Sequence, residues 1–137
     1  MDLKELQRLL REGHYEVSFH AQQERLEEDL DLVQIEAAII ERGELLEEYP
    51  DDPRGESCLV LGFVGSRPLH AVLGWATMKG ETQRMVRIIT VYTPTAPKWT
   101  DPRTRGGRSL ANTRIAAIAA ETSSSRLSTT TIAGKKI

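Results

Sequence analysis

The chain reads as an α+β domain, with about three N-terminal helices packed on a twisted antiparallel sheet of about four strands. Three observations predict this. Apolar residues recur at helical spacing only before Gly43. From Leu45 to Thr93 the apolar runs are short and rich in β-branched and aromatic residues. Proline- and glycine-bearing turn signals divide those runs.

Leu3, Leu6, Leu9 and Leu10 stand at i, i+3, i+4 spacing with charges between them, and Gly13 stops the pattern. That predicts a short amphipathic helix. A second helix is expected from His20 towards Asp29, with Ser18 or Phe19 near its cap. Asp31 followed by Gln34 resembles a capping box and starts a third helix. Its expected apolar stripe is Val33, Ala37 and Ile40, ending at Gly43.

Leu45-Leu46-Glu47-Glu48-Tyr49 opens the strand region and is closed by Pro50-Asp51-Asp52-Pro53-Arg54-Gly55. Ser57 to Val64 is a strand, and Gly65-Ser66 turns it back into a hairpin with Leu69 to Trp75. Met85 to Thr93 follows through the polar loop Lys79–Arg84. Asp101 to Gly107 reads as a loop or tail. Leu110 to Glu121 is an alanine-rich helix candidate without a defined apolar face, and Thr122 to Thr131 is almost all Ser and Thr. Such composition buries too little apolar surface to offset ordering entropy. The expected division is a domain over residues 1–105 and a poorly ordered, Ala/Ser/Thr-rich basic extension over 106–137. No internal repeat is visible.

At 137 residues the chain can bury a core without disulfide staples. Cys58 is the single cysteine, which excludes an internal disulfide and fits a reducing compartment. No apolar stretch approaches the ~20 residues of a membrane helix, and the charged start Met1-Asp2-Leu3-Lys4-Glu5 is unlike a signal peptide. The expectation is a soluble, cytoplasmic protein without membrane attachment. Residues 1–97 carry 10 Lys and Arg against 18 Asp and Glu, a net −8, whereas 98–137 carry 8 against 2, a net +6. An acidic body repels nucleic acid at long range, so RNA binding needs a local basic pocket.

Two histidines stand in unlike settings. His20 opens a helical stretch and precedes Arg25 by about one and a half turns. His70 interrupts an apolar strand, where a histidine must be hydrogen-bonded or used for chemistry. By strand alternation His70 shares a face with Val72 and Gly74, and Thr90 shares one with Tyr92, opposite Arg87. A pocket follows if His70 and Tyr92 line the same side of the sheet.

Ser18-Phe19-His20-Ala21-Gln22-Gln23-Glu24-Arg25, Tyr49-Pro50-Asp51-Asp52, Gly55-Glu56-Ser57-Cys58-Leu59-Val60-Leu61-Gly62, Pro68-Leu69-His70 and Arg87-Ile88-Ile89-Thr90-Val91-Tyr92 resemble the DUF4258 family, in the same order over residues 1 to about 105. Its members are small bacterial or archaeal chains of largely unassigned function that look like distant relatives of RelE- and BrnT-type toxins. They are often encoded beside a small YgiT-type zinc-finger protein, an arrangement similar to a toxin with its antitoxin. The resemblance implies a RelE/BrnT-like fold and a toxin-like component of a type II toxin–antitoxin pair. It further implies a metal-independent, mRNA interferase-like ribonuclease that acts on RNA and partners a YgiT-type antitoxin. Family chains end shortly after the segment matching Trp99-Thr100-Asp101. The tail here has no counterpart, which a frame slip near Gly106 would explain.

Metal-independent RNA cleavage needs a base, an acid and a cation at the phosphate. Histidine suits the first two, its unperturbed pKa of ~6.5 lying near neutrality. Arginine matches phosphate oxygens with its planar fork. In that scheme His20 and His70 share proton transfer, Arg25 holds the phosphate, and Tyr92 donates a proton or stacks a base. Each residue also has a structural reading: His20 as a helix cap, Arg25 as a surface or salt-bridged side chain, His70 as a satisfied core histidine, and Tyr92 as a core aromatic. Cys58, in an apolar strand without a neighbouring base, reads as a structural thiol. His14, His20, His70 and Cys58 form no compact metal motif, so no metal and no cofactor is assigned.

The competing class is a non-catalytic protein-binding module, which the acidic body favours. The acidic run from Glu41 to Asp52 offers one place for a basic partner to dock. Geometry separates the classes: catalysis needs His20, Arg25 and His70 convergent around an open pocket.

Overall fold

Leucines three and four apart put one face of the first helix, α1 (Leu3–Arg11), wholly inside, where Leu6, Leu9 and Leu10 are buried. The computed structural model describes residues 1–76 and 84–106. These fall into two compact units, Met1–Pro94 and a second beginning at Thr95. In the first, α1 leads to β1 (Tyr15–Val17), α2 (Phe19–Glu27) and α3 (Leu32–Arg42), then to β2 (Glu44–Tyr49), β3 (Ser57–Val64), β4 (Arg67–Trp75) and β5 (Val86–Tyr92). The second unit contains a small hairpin, β6 (Trp99–Asp101) and β7 (Thr104–Arg105).

Helix boundaries follow local chemistry. Asp2, Ser18 and Asp31 are the N-caps, and Asp31 with Gln34 forms the expected capping box. Two helices stop in the same way. The N–H groups of Gly13 and His14 donate to Leu10 and Leu9, while those of Asp29 and Leu30 donate to Leu26 and Arg25. This paired closure needs a left-handed residue just past the helix. Gly13 supplies it freely at φ +80°, and Asp29 does so at φ 58° with a Cβ in place.

The sheet of the first unit runs β1-β5-β4-β3-β2. All neighbours are antiparallel except β1 and β5, so the sheet is mixed and five-stranded, not antiparallel and four-stranded. The additional strand is β1, three residues between two helices, too short for alternation to show. Its partner Val86–Ile88 lies about seventy residues away in sequence, so tertiary pairing alone defines it as a strand. Where a loop or tail is expected from Asp101, the described residues of the second unit form a hairpin up to Arg105, with Arg105 stacked on Trp99 at 4.6 Å. The expectations for Leu110–Glu121, Thr122–Thr131 and most of the Lys79–Arg84 loop lie outside the described residues.

One face of the sheet carries the helices. Cys58, Val60, Leu69, Ala71, Leu73, Val86, Ile88 and Val91 form a buried cluster with Leu6, Leu9 and Leu10 of α1, Ala21 of α2 and Ile35, Ala38 and Ile39 of α3. Fully burying each large side chain contributes roughly 1.5–3 kcal/mol. The buried stripe of α3 is therefore Ile35, Ala38 and Ile39; of the expected set, Ile40 packs partly buried against this core and Ala37 is half-buried, while Val33 points away. Val33 is 73% exposed. Which side of the helix is buried is decided by its packing on β3 and α1, far away in sequence. Helix α3 lies directly on β3 at Gly62, where an added Cβ would sit 2.6 Å from the Ala38 carbonyl oxygen.

Helix α2 completes the edge of β5 that β1 leaves unpaired. Pairing ends with Val17 against Ile88 and the Ser18 N–H on the Ile88 carbonyl. Beyond it, Ser18 Oγ donates to the Ile89 carbonyl at 2.7 Å while capping Ala21. Glu24 Oε1 accepts from the Val91 N–H at 2.9 Å and from the Thr90 hydroxyl. The edge groups of a buried strand thus find side-chain partners in place of a ladder.

Three outcomes follow. Gly62→Ala is expected to cost about 1–3 kcal/mol through overpacking against Ala38, read as a lower urea midpoint. Glu24→Ala leaves the Val91 N–H without its acceptor and is expected to cost about 1–3 kcal/mol, whereas Glu24→Gln, which retains an oxygen there, costs less in the same titration. Burial pushes the Cys58 thiol up to about 12, so iodoacetamide at pH 8 is expected to label it only after denaturant opens the sheet. Rapid labelling of the native chain would contradict this.

Candidate functional site

The candidate residues distribute over two places in the first unit. His20 sits in the first turn of α2 with its side chain 58% exposed, and its Nε2 lies 3.2 Å from Glu24 Oε2. The i, i+4 spacing brings them together on one helical face. Glu24 is already fixed through its other oxygen to Val91 and Thr90. The result is an accessible imidazole oriented by an anchored carboxylate. Ser18, not His20, caps the helix.

Arg25 turns to its own helix. Its Nε donates to Gln22 Oε1 at 2.6 Å and its Nη1 to the Leu30 carbonyl at 3.2 Å. It closes the α2–α3 connection and, among the described residues, forms no ion pair with the surrounding carboxylates. A different arginine serves the neighbouring acid: Arg67 Nη2 donates to Glu28 Oε1 at 2.6 Å and to Thr93 Oγ1 at 3.1 Å. Glu28 also accepts from the Thr93 hydroxyl. The sequence does not single out Arg67, because its partners Glu28, at the C-cap of α2, and Thr93, just past β5, are distant from it along the chain.

His70 is on β4 with no exposed surface. It faces away from the helix-side core, since its neighbours Leu69 and Ala71 belong to that core. Leu61 and Tyr92 are its cross-strand partners on either side. His70 Nδ1 and the Tyr92 hydroxyl share a hydrogen bond at 3.1 Å, and their rings meet edge to face with centroids 5.2 Å apart. These two residues therefore share a side of the sheet.

The strand parity expected for Arg87 is corrected. Val72 pairs with Thr90 and Leu73 with Ile88, so Ile89 is an extra residue in β5. This bulge reverses alternation along the strand. Arg87 pairs with Gly74 and thereby shares the face of His70, where it forms an ion pair with Glu16 of β1. Tyr15, also on β1, donates to Glu36 of α3, and burial together with that bond pushes its hydroxyl up to about 12.

Among the described residues, then, His20 pairs with Glu24, His70 pairs with Tyr92, and Arg25 joins neither pair. Chemically the first pair offers one exposed acid–base group. The second offers a buried hydrogen bond that satisfies two polar groups of the sheet. Glu24 was legible only as a charge near Arg25; its spacing from His20 was a usable signal, while its anchoring to β5 was not. No group of three or more His, Cys, Asp or Glu side chains among the described residues gathers as a metal site. No helix among them is long and apolar enough to cross a membrane.

The outer side of α2 carries a further feature. Phe19 is 77% and Leu26 66% exposed, two helical turns apart and so nearly in line along the helix. With Val33 at the start of α3 they are the exposed large hydrophobic residues of the described chain.

A family model with the description "Domain of unknown function (DUF4258)" matches residues 17–93. That span runs from the last residue of β1 through α2, α3 and the strands to Thr93, and so includes both histidine pairs. No curated protein and no solved structure matches the chain. The family match covers more than half of the 137 residues, and the chain belongs to the DUF4258 family.

Proposed function

We propose that this chain is a protein-binding module whose docking element is helix α2. The observation that carries this reading is the confinement of the exposed large hydrophobics Phe19, Leu26 and Val33 to one short stretch of the chain. Scattered single apolar residues are ordinary on a surface, but a concentration of them marks interaction surfaces. The burial of His70 supports the same reading, because a group with no exposed surface cannot hand a proton to a substrate. Glu24, Glu28 and Arg67, tied to β5 and its end, give α2 a rigid base from which to present that side.

A second reading has its own observation. The His20–Glu24 pair combines an accessible imidazole with a fixed carboxylate, the arrangement by which an acid–base histidine is oriented. On it rests the proposal of a toxin-like component of a type II toxin–antitoxin pair. The chain would cleave RNA without a metal, would have a RelE/BrnT-like ancestry, and would be neutralised by a YgiT-type zinc-finger protein. In this version His20 carries the proton transfer and Glu24 positions it. His70 and Tyr92 support the sheet, and Arg25, with Nε and Nη1 held by Gln22 and Leu30, has its Nη2 left for a phosphate.

Induced expression of the whole chain, with growth and RNA integrity followed together, separates the two. The binding-module reading expects intact RNA whether or not growth slows. Growth arrest with cleaved RNA, lost in His20→Ala and relieved by the zinc-finger protein, would overturn it in favour of the ribonuclease.

A further inference from the structure

The charge around the exposed side of α2 specifies what it can hold. Residues 18–36 contain six carboxylates, Glu24, Glu27, Glu28, Asp29, Asp31 and Glu36, against one guanidinium, Arg25. Four of the six are engaged within the fold. Glu24 binds the β5 edge, Glu28 binds Arg67 and Thr93, Glu36 accepts from Tyr15, and Asp31 caps α3. Arg25 directs its Nε and Nη1 to the neutral acceptors Gln22 and Leu30, and its one positive charge leaves the stretch strongly negative. Glu27 and Asp29 remain, both exposed and without an ion pair among the described residues; Glu27 adjoins Leu26 in sequence, and the Asp29 N–H donates to the Leu26 carbonyl.

We propose that the outer side of α2 binds a basic amphipathic segment of another protein, with apolar side chains seated on Phe19 and Leu26 and lysine or arginine facing Glu27 and Asp29. This rests on the binding-module reading and adds the chemistry of the partner. Apolar anchors two turns apart suit a helix laid along α2, the geometry by which amphipathic helices meet a hydrophobic strip. Complementary charge supplies orientation and rate, and rejects acidic segments. A second copy of the chain is a poor occupant, since it would bring the same uncompensated carboxylates into contact. An anionic membrane is opposed for the same reason.

The test uses the full chain and two labelled helical peptides with identical leucine positions, one with lysine and one with glutamate on the polar face. Fluorescence anisotropy is expected to show binding of the lysine peptide, weakening as salt rises. Leu26→Asp should weaken it by about tenfold or more, the scale of an interface anchor. Glu27→Lys combined with Asp29→Asn should weaken it and flatten the salt dependence, and circular dichroism checks that each variant stays folded. Equal binding of both peptides, still lost in Leu26→Asp, would overturn the basic partner while leaving α2 as a docking face. Binding of neither peptide, or binding indifferent to Leu26→Asp and to the charge variant, would overturn both the partner and the docking face. Capture by phosphatidylglycerol vesicles in place of the lysine peptide, or self-association lost in Leu26→Asp, would likewise refute the proposal.

Discussion

The edge of β5 needs partners for its backbone, and the way it obtains them organises the first unit. A strand buried on its helix side cannot leave N–H and C=O groups dry and unpaired without a cost of about 1–3 kcal/mol each. β1 serves only Val86 to Ile88. Past that point Ser18 and Glu24 take over, one donating to Ile89 and the other accepting from Val91. Helix α2 is therefore bonded to the sheet and not merely packed on it. Its inner side chain in the core is a single alanine, Ala21. With so little apolar contact, these polar bonds are what hold its position.

Anchoring from the inside decides what α2 shows on the outside. Because Glu24 and Ala21 face the sheet, Phe19, Gln23 and Leu26 must turn towards solvent, and His20 stands at the boundary, beside Glu24. A helix chosen for core packing alone would have buried Phe19 and Leu26, each worth roughly 1.5–3 kcal/mol. That unspent apolar surface is the physical reason to read the helix as a docking element.

The bulge in β5 reorganises the opposite face. The extra residue Ile89 brings Arg87 onto the side of His70 and Tyr92. Arg87 then meets Glu16, and Gly74 leaves room for the Ile89 side chain, whose Cδ1 would lie 2.9 Å from an added Cβ. His70 reaches Tyr92 directly across the strand pair. Its burial is compatible with an apolar strand because that bond gives the imidazole a partner.

Helix starts, the hairpin through Gly65-Ser66 and the strand runs were legible in the sequence, since caps, turn residues and short β-rich runs act over a few neighbours. Ser18, the Asp31–Gln34 box and Gly13 are signals of that kind. So was the need for His70 to find a hydrogen bond. The parallel strand β1, the bulge at Ile89 and the rotation of α3 were not legible, for each is settled by residues distant in sequence. The site divides in the same way. His20 and Glu24 follow from helical spacing, but only the fold ties Glu24 to Val91, turns Arg25 inward and separates His20–Glu24 from His70–Tyr92. Local geometry is encoded by neighbours along the chain, whereas partnership across it depends on which backbone groups packing leaves unsatisfied.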